Sequence, residues 1–370
     1  MESEFNLISL FGEISDPRID RKKLHRLGDI LVISILAVIC GAESWIDIED
    51  FGSARYEWLK EFLELPNGIP SHDTFNRVFS LIDSNEFEKR FAEWVRVVSG
   101  KLNGQIAIDG KMIKGSGNRR KGEEPLWIVS AWATDLNLVL AETQVAKKSN
   151  EITAIPKILE MLSLNGCIVS IDAMGCQKEI AQDIKERSGE YVLALKGNQG
   201  RLHAEVVNFF DQAEMVNFEC LKHDCHTSYE KNRGREETRI LYVTEEIDWL
   251  PYREQWQGLR SIVCMISKRT VAGRKSTERR YYISSLPADS QQHAKAIRNH
   301  WSIENKQHWV LDVGFNEDRC RIRDRTAGKN LATLRRMALN LLKQEPTKAG
   351  IRRKRLRAGW DDKFLRSVVT

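Results

Sequence analysis

Three acidic residues of this sequence have the types and surroundings that a two-metal phosphoryl-transfer site needs. Asp109 follows the run 105–108, Q-I-A-I, and precedes a glycine, whereas Asp172 follows the apolar run 167–171 and precedes small residues. Glu304 lies far downstream, in a stretch with helical character. Hard divalent cations prefer oxygen ligands, and two of them can be held about 4 Å apart across a scissile phosphate. We therefore predict that each aspartate ends a buried strand and that the three carboxylates bind Mg²⁺, which Mn²⁺ could replace.

An aspartate at the end of a strand is more often a turn or cap residue, so either aspartate alone is a weak signal. The predicted helix 294–312 carries polar side chains four residues apart on one face, namely His300, Glu304, His308 and Asp312. Zinc held by the first three of them is an alternative, but the nearby carboxylates favour a hard cation. The non-functional interpretation is a solvated helix face, with Trp301 and Trp309 in the core.

The order of the predicted elements connects the two aspartates. From residue 105 onward, the pattern predicts three strands, a helix, a strand, a helix and a strand. The predicted bounds are 105–109, 126–134, 138–145, 152–162 with Asn150 as N-cap, 167–172, 177–187 and 191–195. This is the order of an RNase H-like fold, in which the first and fourth strands are neighbours, so Asp109 and Asp172 should share one sheet edge.

The predicted fold class is α/β, with an RNase H-like catalytic domain that has a mixed sheet flanked by helices. We expect a β-rich insertion at about 205–290, with strands at 238–245, 259–268 and 279–285. The Cys and His residues between 220 and 226 are too closely spaced for a zinc finger and are interpreted as loop residues. The predicted domains are an all-helical domain at 1–98, the catalytic domain at 99–345 and a basic C-terminal tail at 346–370.

The N-terminal domain has a candidate DNA-reading helix. Residues 24–40 predict a buried helix and 46–62 an amphipathic one. Ser71 is a suitable N-cap for the next helix, whose apolar face is formed by Phe75, Val78, Phe79 and Ile82. The opposite face offers His72, Asn76 and Arg77. Two helices joined by a turn suit a helix-turn-helix reader of the major groove, and the alternative is a plain helical hairpin.

Basic and amide side chains near the predicted strand ends could hold a DNA backbone, because such groups are the usual phosphate contacts. They are Lys111, Lys114, Lys196, Asn198, Gln199 and Arg201. The chain has 57 Lys and Arg against 52 Asp and Glu, for a net charge of +5, with dense positive charge at 351–357 and 118–121. These clusters favour phosphate binding, and a solvated basic surface is the alternative.

Composition excludes several other classes of protein. An odd count of seven cysteines argues against a disulfide framework and for a reducing cytoplasm. No secretory signal is visible, and the longest apolar run, 30–40, is too short to span a bilayer. We therefore expect a cytoplasmic protein without a membrane partner.

Several long motifs, in the same order, resemble the H-repeat-associated family of bacterial insertion-sequence DDE transposases. They are I-A-I-D-G-K, S-N-E-I-T-A-I-P, I-D-A-M-G-C-Q-K-E-I-A, L-K-G-N-Q-G-R-L, R-Y-Y-I-S-S and I-R-N-H-W-S-I-E-N-K-Q-H-W-V-L-D-V, joined in the N-terminal part by G-A-E-S-W-I-D-I-E-D-F-G and N-G-I-P-S-H-D-T. The resemblance implies the catalytic triad Asp109, Asp172 and Glu304 and a divalent metal. It also implies binding of the element's terminal inverted repeats, by the N-terminal domain.

One motif departs from the broader insertion-sequence class. That class surrounds its glutamate with a tyrosine, an arginine and a lysine, whereas the corresponding positions here are Ile297, His300 and Leu311. Contacts to the DNA end are then expected from Arg298, His300 and Lys306. The route of donor cleavage, through a hairpin intermediate or by another path, therefore stays open.

The predicted function is that of a DNA transposase that cuts at terminal inverted repeats and joins the 3′-hydroxyl ends to double-stranded target DNA. Holding two ends together requires at least a dimer, and the substrate places the protein at the nucleoid. A catalytically silent or domesticated DNA-binding relic is one alternative. A structure-selective nuclease without strand transfer is the other.

Overall fold

A nine-stranded mixed sheet organises the computed structural model, which describes residues 11–12, 14–145, 151–219, 221–232 and 234–369. Across the sheet the strand order is β3-β2-β1-β4-β5-β9-β8-β7-β6. The strands are β1 Gly104–Ile113, β2 Leu126–Ala133, β3 Leu138–Val145, β4 Cys167–Ile171, β5 Glu190–Leu195, β6 Asp224–Asn232, β7 Arg235–Thr244, β8 Ser261–Val271 and β9 Arg274–Ser284.

The predicted pairing of the first and fourth strands is confirmed. Strands β1 and β4 are parallel, with Ile108 opposite Ile171 as the last pair of their ladder. Both strands are apolar and largely buried, as expected for strands covered on both faces. Asp109 and Asp172 each follow that last pair, so the ladder brings them to the same level of the sheet.

The prediction that Asp109 ends its strand is wrong. Strand β1 continues to Ile113, because its antiparallel ladder with β2 runs from Ile106 to Ile113 after the pairing with β4 has stopped. Asp109 therefore lies where β1 loses one neighbour and keeps the other.

The predicted β-rich insertion is part of the central sheet. Strand β9 pairs with β5, and β8, β7 and β6 follow outward as antiparallel neighbours. Cys225 and His226, interpreted as loop residues, lie in β6, while Cys220 is outside the described residues. A helix at Gly200–Met215 precedes these strands and was not predicted.

Thirteen α-helical segments of the described residues surround the sheet. They are α1 Leu27–Cys40, α2 Trp45–Ala54, α3 Tyr56–Leu59, α4 His72–Leu81, α5 Ser84–Ser99, α6 Glu151–Glu160, α7 Lys178–Glu186, α8 Gly200–Met215, α9 Ser290–His300, α10 Trp309–Gly314, α11 Arg325–Gln344, α12 Ile351–Trp360 and α13 Asp362–Val369. The predicted buried helix is α1, and Phe75, Val78 and Phe79 of α4 are buried as expected. Ser71 is at the N-cap of α4, but its side chain makes no capping hydrogen bond. Asn150, the predicted N-cap of the helix that corresponds to α6, is outside the described residues.

Helix α11 joins the N-terminal helices to the sheet. Asn340 exchanges hydrogen bonds with the backbone of Val139 in β3, at 2.9 and 2.8 Å. Asn330 donates to the carbonyls of Phe79 and Ile82, at 2.9 and 3.0 Å. Because both asparagines are buried, these bonds satisfy polar groups that would otherwise be costly.

The C-terminal segment, predicted as a basic tail, forms helices α12 and α13 packed against the N-terminal helices. Arg355 is buried and donates to the carbonyl of Val38 at 2.8 Å, near the C-terminal end of α1. A guanidinium there donates a further hydrogen bond to a carbonyl of the last helical turn and complements the helix dipole. This segment is therefore built into the fold.

The six cysteines that the structure describes are free thiols. Within the described residues, no single helix is long and apolar enough to cross a membrane. Helices α1 and α2 together have the length and composition of a membrane span, but the chain bends by 96° between them.

Candidate active site

Asp109, Asp172 and Glu304 line one cavity of about 240 Å³. The ends of β4 and β5 and part of β9 form one wall, and the C-terminal end of α9 with the residues that follow forms the other. Three carboxylates separated by 63 and 132 positions in the chain are thus brought to a single site.

The backbone orients both aspartates. Oδ1 of Asp109 accepts a hydrogen bond from the Gly110 N–H at 2.8 Å. Oδ1 of Asp172 accepts from the N–H groups of Met174 and Gly175, at 3.0 and 3.4 Å, where a short 3₁₀ turn begins. These bonds limit rotation of each carboxylate, so the aspartates are preorganised.

Glu304 begins a π-helical segment, Glu304–His308, between α9 and α10. A π turn is wider than an α turn and is frequent at functional sites. The four polar residues of the predicted stripe consequently face different partners. His300 and Glu304 line the cavity, His308 Nδ1 lies 3.7 Å from Asp109 Oδ2, and Asp312 pairs with Lys111 at 2.6 Å.

The cavity concentrates negative charge. Burial and then the charge of Asp172 raise the pKa of Asp109 to about 7, with smaller contributions from Glu304 and Glu151. Burial also raises the pKa of Glu304, although the nearby Arg280 opposes it. Carboxylates that repel one another in a partly buried site are stabilised by a bound cation.

The donors fit a hard divalent cation in type, since carboxylate oxygens are the ligands that Mg²⁺ and Mn²⁺ prefer. In the part of the chain that the structure describes, no three His, Cys, Asp or Glu side chains stand close enough to hold a metal ion. The carboxylates share the cavity without converging on one point.

Two of the histidines near the site, His300 and His308, are neutral at physiological pH. Burial lowers the pKa of His300 to about 4, and its Nδ1 lies 3.1 Å from the Ser170 hydroxyl. Burial, with the charges of Arg336 and Lys111, lowers the pKa of His308 to about 3. Neither imidazole therefore balances the carboxylates. The tryptophans assigned to the core, Trp301 and Trp309, are 39% and 61% exposed.

The structure gives Lys111 a different environment from the DNA-contacting one that we predicted. Its side chain is 6% exposed, and its ammonium lies within 3.3 Å of carboxylate oxygens of Asp312, Glu317 and Asp318. Those charges raise its pKa against the effect of burial. A lysine so enclosed cannot reach a DNA backbone, so Lys111 is removed from the candidate contacts.

The other candidates near the sheet edge are at the surface. Lys114 is exposed and pairs with Asp318 at 2.7 Å, and Lys196 is exposed and lines the cavity. Asn198 donates to the carbonyl of Ala173 at 2.6 Å, and Gln199 donates to that of Cys176 at 2.9 Å. These two amides tie their loop to the loop that follows Asp172. Arg201 is exposed and donates to the Tyr252 hydroxyl at 3.3 Å.

A larger groove of about 840 Å³ adjoins the cavity and contains Arg298 and Lys306. Strands β6 to β9 form its floor, and α9 and the π-helical segment form its side. Among the lining residues that the structure describes, seven are Lys or Arg and only Glu230 is acidic. Glu237 lies below them and pairs with Arg235, Arg239 and Arg269. Arg280, which is stacked on Trp301 at 4.9 Å, lines both spaces.

On α4, Asn76 and Arg77 are exposed, as predicted for a DNA-reading face. His72 is also exposed, but its Nδ1 lies 2.6 Å from Glu49 Oε2 on α2. That contact joins the two helices of the candidate reader.

One buried acidic residue near the cavity was missed. Glu151, the first residue of α6, is 5% exposed and lies against Gly110. Its signal in the sequence was the motif S-N-E-I-T-A-I-P, which we used only for the family resemblance.

Comparison with known proteins gives consistent results. The sequence matches the transposase DDE domain family over residues 101–341 and the DDE_Tnp_1-associated family over residues 8–95. It is 42% identical to "Putative transposase YncI" of Escherichia coli O157:H7, over 98% of this chain and 94% of that protein. It is also 42% identical to "H repeat-associated putative transposase YhhI" of Escherichia coli K12, over 96% of this chain and 95% of that protein. A solved structure of a piggyBac transposase synaptic complex with hairpin DNA aligns over 98% of this chain and 82% of that chain. Its TM-score is 0.37 and its sequence identity 11%, so the likeness is too weak to establish a shared fold.

Proposed function

Because this chain belongs to the bacterial DDE transposase family, we propose that it cuts DNA at the terminal inverted repeats of an insertion sequence and joins the 3′-hydroxyl ends to target DNA. The observation that carries the proposal is the shared cavity of Asp109, Asp172 and Glu304. We further propose that β1 to β5, with their intervening helices, form an RNase H-like unit, in keeping with the parallel pairing of β1 and β4.

The three carboxylates would hold Mg²⁺ or Mn²⁺, which their oxygen donors and mutual repulsion favour. The chemistry supplied by the bound cations is activation of water or a 3′-hydroxyl and stabilisation of charge on the attacking and leaving oxygens. Asp109 and Asp172 present carboxylates fixed by backbone N–H groups, and Glu304 faces them from the other wall. The scissile phosphate would lie between these walls, where Lys196 and Arg280 can offset its charge.

The basic groove provides a path for DNA into the cavity. Arg298 and Lys306 lie on its helical side, and the shared Arg280 and Trp301 lie where it meets the cavity. Lysine and arginine side chains position a nucleic-acid backbone without reading its sequence. We assign terminal-repeat recognition to the exposed residues His72, Asn76 and Arg77 of α4. Synapsis of two DNA ends would require at least two protomers, working at the nucleoid.

The deciding experiment is an in vitro reaction of purified protein with a labelled element end, supercoiled target plasmid and Mg²⁺. We expect wild type to cleave the end and join it to the plasmid. Glu304→Gln, which keeps the size of the side chain and removes its charge, should do neither. Equal cleavage by the variant would refute the assignment of Glu304. Specific binding without cleavage by wild type would indicate a relic, whereas cleavage without joining would indicate a structure-selective nuclease.

Removing two charges from the groove should weaken DNA binding at every sequence. For Arg298→Ala/Lys306→Ala we expect the slope of log affinity against log salt to become shallower by about 2, as two phosphate contacts are lost. The control is Lys101→Ala/Lys157→Ala, which removes the same charge from exposed positions outside the groove. Fluorescence anisotropy across a salt series measures both. Identical slopes for the two double variants would place the DNA elsewhere.

A further inference from the structure

Lys111 lies on the same strand as Asp109, and both side chains contact the segment that carries Glu304. The two residues are two positions apart on β1, so they share one face of the sheet. Asp109 Oδ2 lies 3.7 Å from Nδ1 of His308, and Lys111 Nζ lies 2.6 Å from Oδ1 of Asp312. Two contacts therefore join β1 to the start and the end of one helical turn.

The two contacts match because the strand and the helix advance by nearly the same length between them. Two residues of a strand span about 6.8 Å, at about 3.4 Å each. The four-residue step from His308 to Asp312 spans about 6 Å in α-helical geometry, at about 1.5 Å each. The segment thus lies alongside β1 and runs in the same direction, with paired side chains at both points.

The contact made by Lys111 is the stronger of the two. The histidine contact is longer than a hydrogen bond. The Lys111 ammonium, in contrast, also lies within 3.3 Å of carboxylate oxygens of Glu317 and Asp318. Because Lys111 is only 6% exposed, salt screens these ion pairs little. Lys111 thus links β1 to three carboxylates of the segment 312–318.

A close backbone contact just beyond β1 is a second observation on the same segment. A Cβ atom built on Gly115 would lie 2.6 Å from the carbonyl oxygen of Asp318 and 2.7 Å from that of Cys320. Glycine at position 115 leaves room for this approach of two backbones. The Lys114 N–H also donates to Asp318 Oδ1, at 3.3 Å. The segment therefore packs directly against the chain that continues β1.

Glu304 is connected to these contacts through one helical turn. The Trp309 N–H donates to the Glu304 carbonyl and closes the π turn that leads directly into α10. A displacement of α10 along β1 would therefore carry Glu304 with it. Because Glu304 and Asp109 line the same cavity, that displacement would change the separation of their carboxylates.

We propose that Lys111 is a positioning residue of the candidate active site, which sets the position of Glu304 relative to Asp109 through the carboxylates of the segment 312–318. Its enclosed side chain acts through that segment and not by contact with DNA. The inference rests on the proposed function, in which these carboxylates hold a divalent cation. A misplacement of about 1 Å is costly in such a site, so Lys111 affects cation binding through geometry.

The sign of one effect separates this role from simple electrostatics. A positive charge near a cation site repels the cation, so removal of the Lys111 charge should by itself tighten Mn²⁺ binding. If Lys111 positions Glu304, its removal should weaken binding instead. For Lys111→Met we expect the Mn²⁺ affinity of the full-length protein without DNA to fall at least about tenfold. Titration followed by electron paramagnetic resonance measures this affinity.

The matched control is Lys354→Met, which removes another buried lysine from its ion pair. Lys354 is 5% exposed and lies 3.0 Å from Glu345, in helix α12 and outside the cavity. Its loss should lower the stability measured by urea unfolding and leave the Mn²⁺ affinity at the wild-type value. Lys111→Met protein that binds Mn²⁺ as tightly as wild type, or more tightly, overturns the inference.

A double-mutant cycle tests whether Lys111 acts through Glu304. In the Glu304→Gln background, Lys111→Met should no longer weaken Mn²⁺ binding, because the carboxylate that it positions is gone. An undiminished loss in that background also overturns the inference. If Glu304→Gln binds Mn²⁺ too weakly to measure, the sign of the change caused by Lys111→Met alone decides.

Two further results separate the possible failures. If wild type neither binds Mn²⁺ nor cleaves DNA, the proposed function fails together with this inference. If wild type does both and Lys111→Met binds Mn²⁺ equally well, only the inference fails. Should Lys111→Met not fold, as judged by circular dichroism, Asp312→Asn decides in its place. It leaves Lys111 its other two carboxylates, and it must weaken Mn²⁺ binding more in wild type than in Glu304→Gln.

Discussion

Asp109→Asn is expected to reduce metal-dependent DNA cleavage by roughly a thousandfold, which corresponds to about 4 kcal/mol of transition-state stabilisation. The same substitution should stabilise the metal-free fold. Asp109 is a partly buried anion subject to the charges of Asp172, Glu304 and Glu151, and asparagine keeps its shape without the charge. Relief of that repulsion should raise the free energy of unfolding by roughly 1–3 kcal/mol in the presence of a chelator. Loss of activity together with a gain of stability is expected of a group retained for function.

Urea unfolding with EDTA and with Mn²⁺ measures this effect. Wild type should gain stability when Mn²⁺ is added, because a cation that binds only the folded state shifts the equilibrium. Asp109→Asn should gain less. The control is Asp248→Asn, which removes a carboxylate whose side chain is 94% exposed. Control and wild type should behave alike. An Asp109→Asn protein that is less stable than wild type in EDTA would show that Asp109 serves the fold rather than metal binding.

The neighbouring aspartates could be predicted because their signal is carried by strand order. Two apolar runs that each precede an aspartate, in this order of elements, belong to adjacent parallel strands. The continuation of β1 beyond Asp109 could not be predicted in the same way. It depends on the ladder with β2, whose register Lys111↔Ile128 and Ile113↔Leu126 joins residues far apart in the sequence. Local composition around Gly110 indicates only a turn.

In the outer half of the sheet, an exposed strand is difficult to predict from its sequence. Strand β6 is exposed at most of its positions, so its sequence lacks the alternation of apolar and polar residues that identifies a half-buried strand. It is a strand because β7 pairs with it along its whole length, from Asp224↔Val243 to Asn232↔Arg235. Cys225 and His226 therefore resembled loop residues. Pairing between distant segments is information that no local window contains.

The segment around Glu304 was predicted as one helix, and its π turn was not. A π turn contains only one residue more than an α turn. Polar residues four apart are therefore compatible with either kind of turn, and their spacing alone does not distinguish them. Trp309 was interpreted as a core residue, although it is 61% exposed. Tertiary contacts fix this segment in the structure, among them the Trp132 indole N–H, which donates to the Ser302 hydroxyl at 3.1 Å.

Charge counts alone indicate the wrong environment for charged groups that are buried. Lys111 and Arg355 belong to stretches that resemble phosphate-binding surfaces, yet Lys111 pairs with carboxylates and Arg355 with carbonyls inside the fold. A sequence shows the charge of a residue but not the partner that makes its burial acceptable. The same limit concealed a buried charge network behind the candidate active site.

That network is centred on Arg336, which is fully buried between Glu142 on β3 and Glu317. Arg336→Met is expected to reduce the free energy of unfolding by about 3–5 kcal/mol, because it removes the buried guanidinium that lies between two buried carboxylates. Arg321→Met is the control at an exposed position, with an expected effect within about 0.5 kcal/mol. Adding Glu142→Gln to Arg336→Met should recover part of the loss. No recovery would mean that Arg336 stabilises the fold by packing rather than by charge.

The network also predicts a dependence of stability on pH. Burial alone would raise the pKa of Glu317, but the charges of Arg336 and Lys111 lower it to about 2 from an ordinary value of 4.5. A lowered folded-state pKa means that the stabilisation is complete above about 4.5 and is lost as the pH falls towards 2. Urea unfolding between pH 6 and 3 should therefore show a loss of stability in wild type that is smaller in Glu317→Gln. Parallel profiles for the two proteins would contradict this assignment. Because Glu317 also binds Lys111, two residues beyond Asp109 on β1, the same acid range should loosen the strand that positions Asp109.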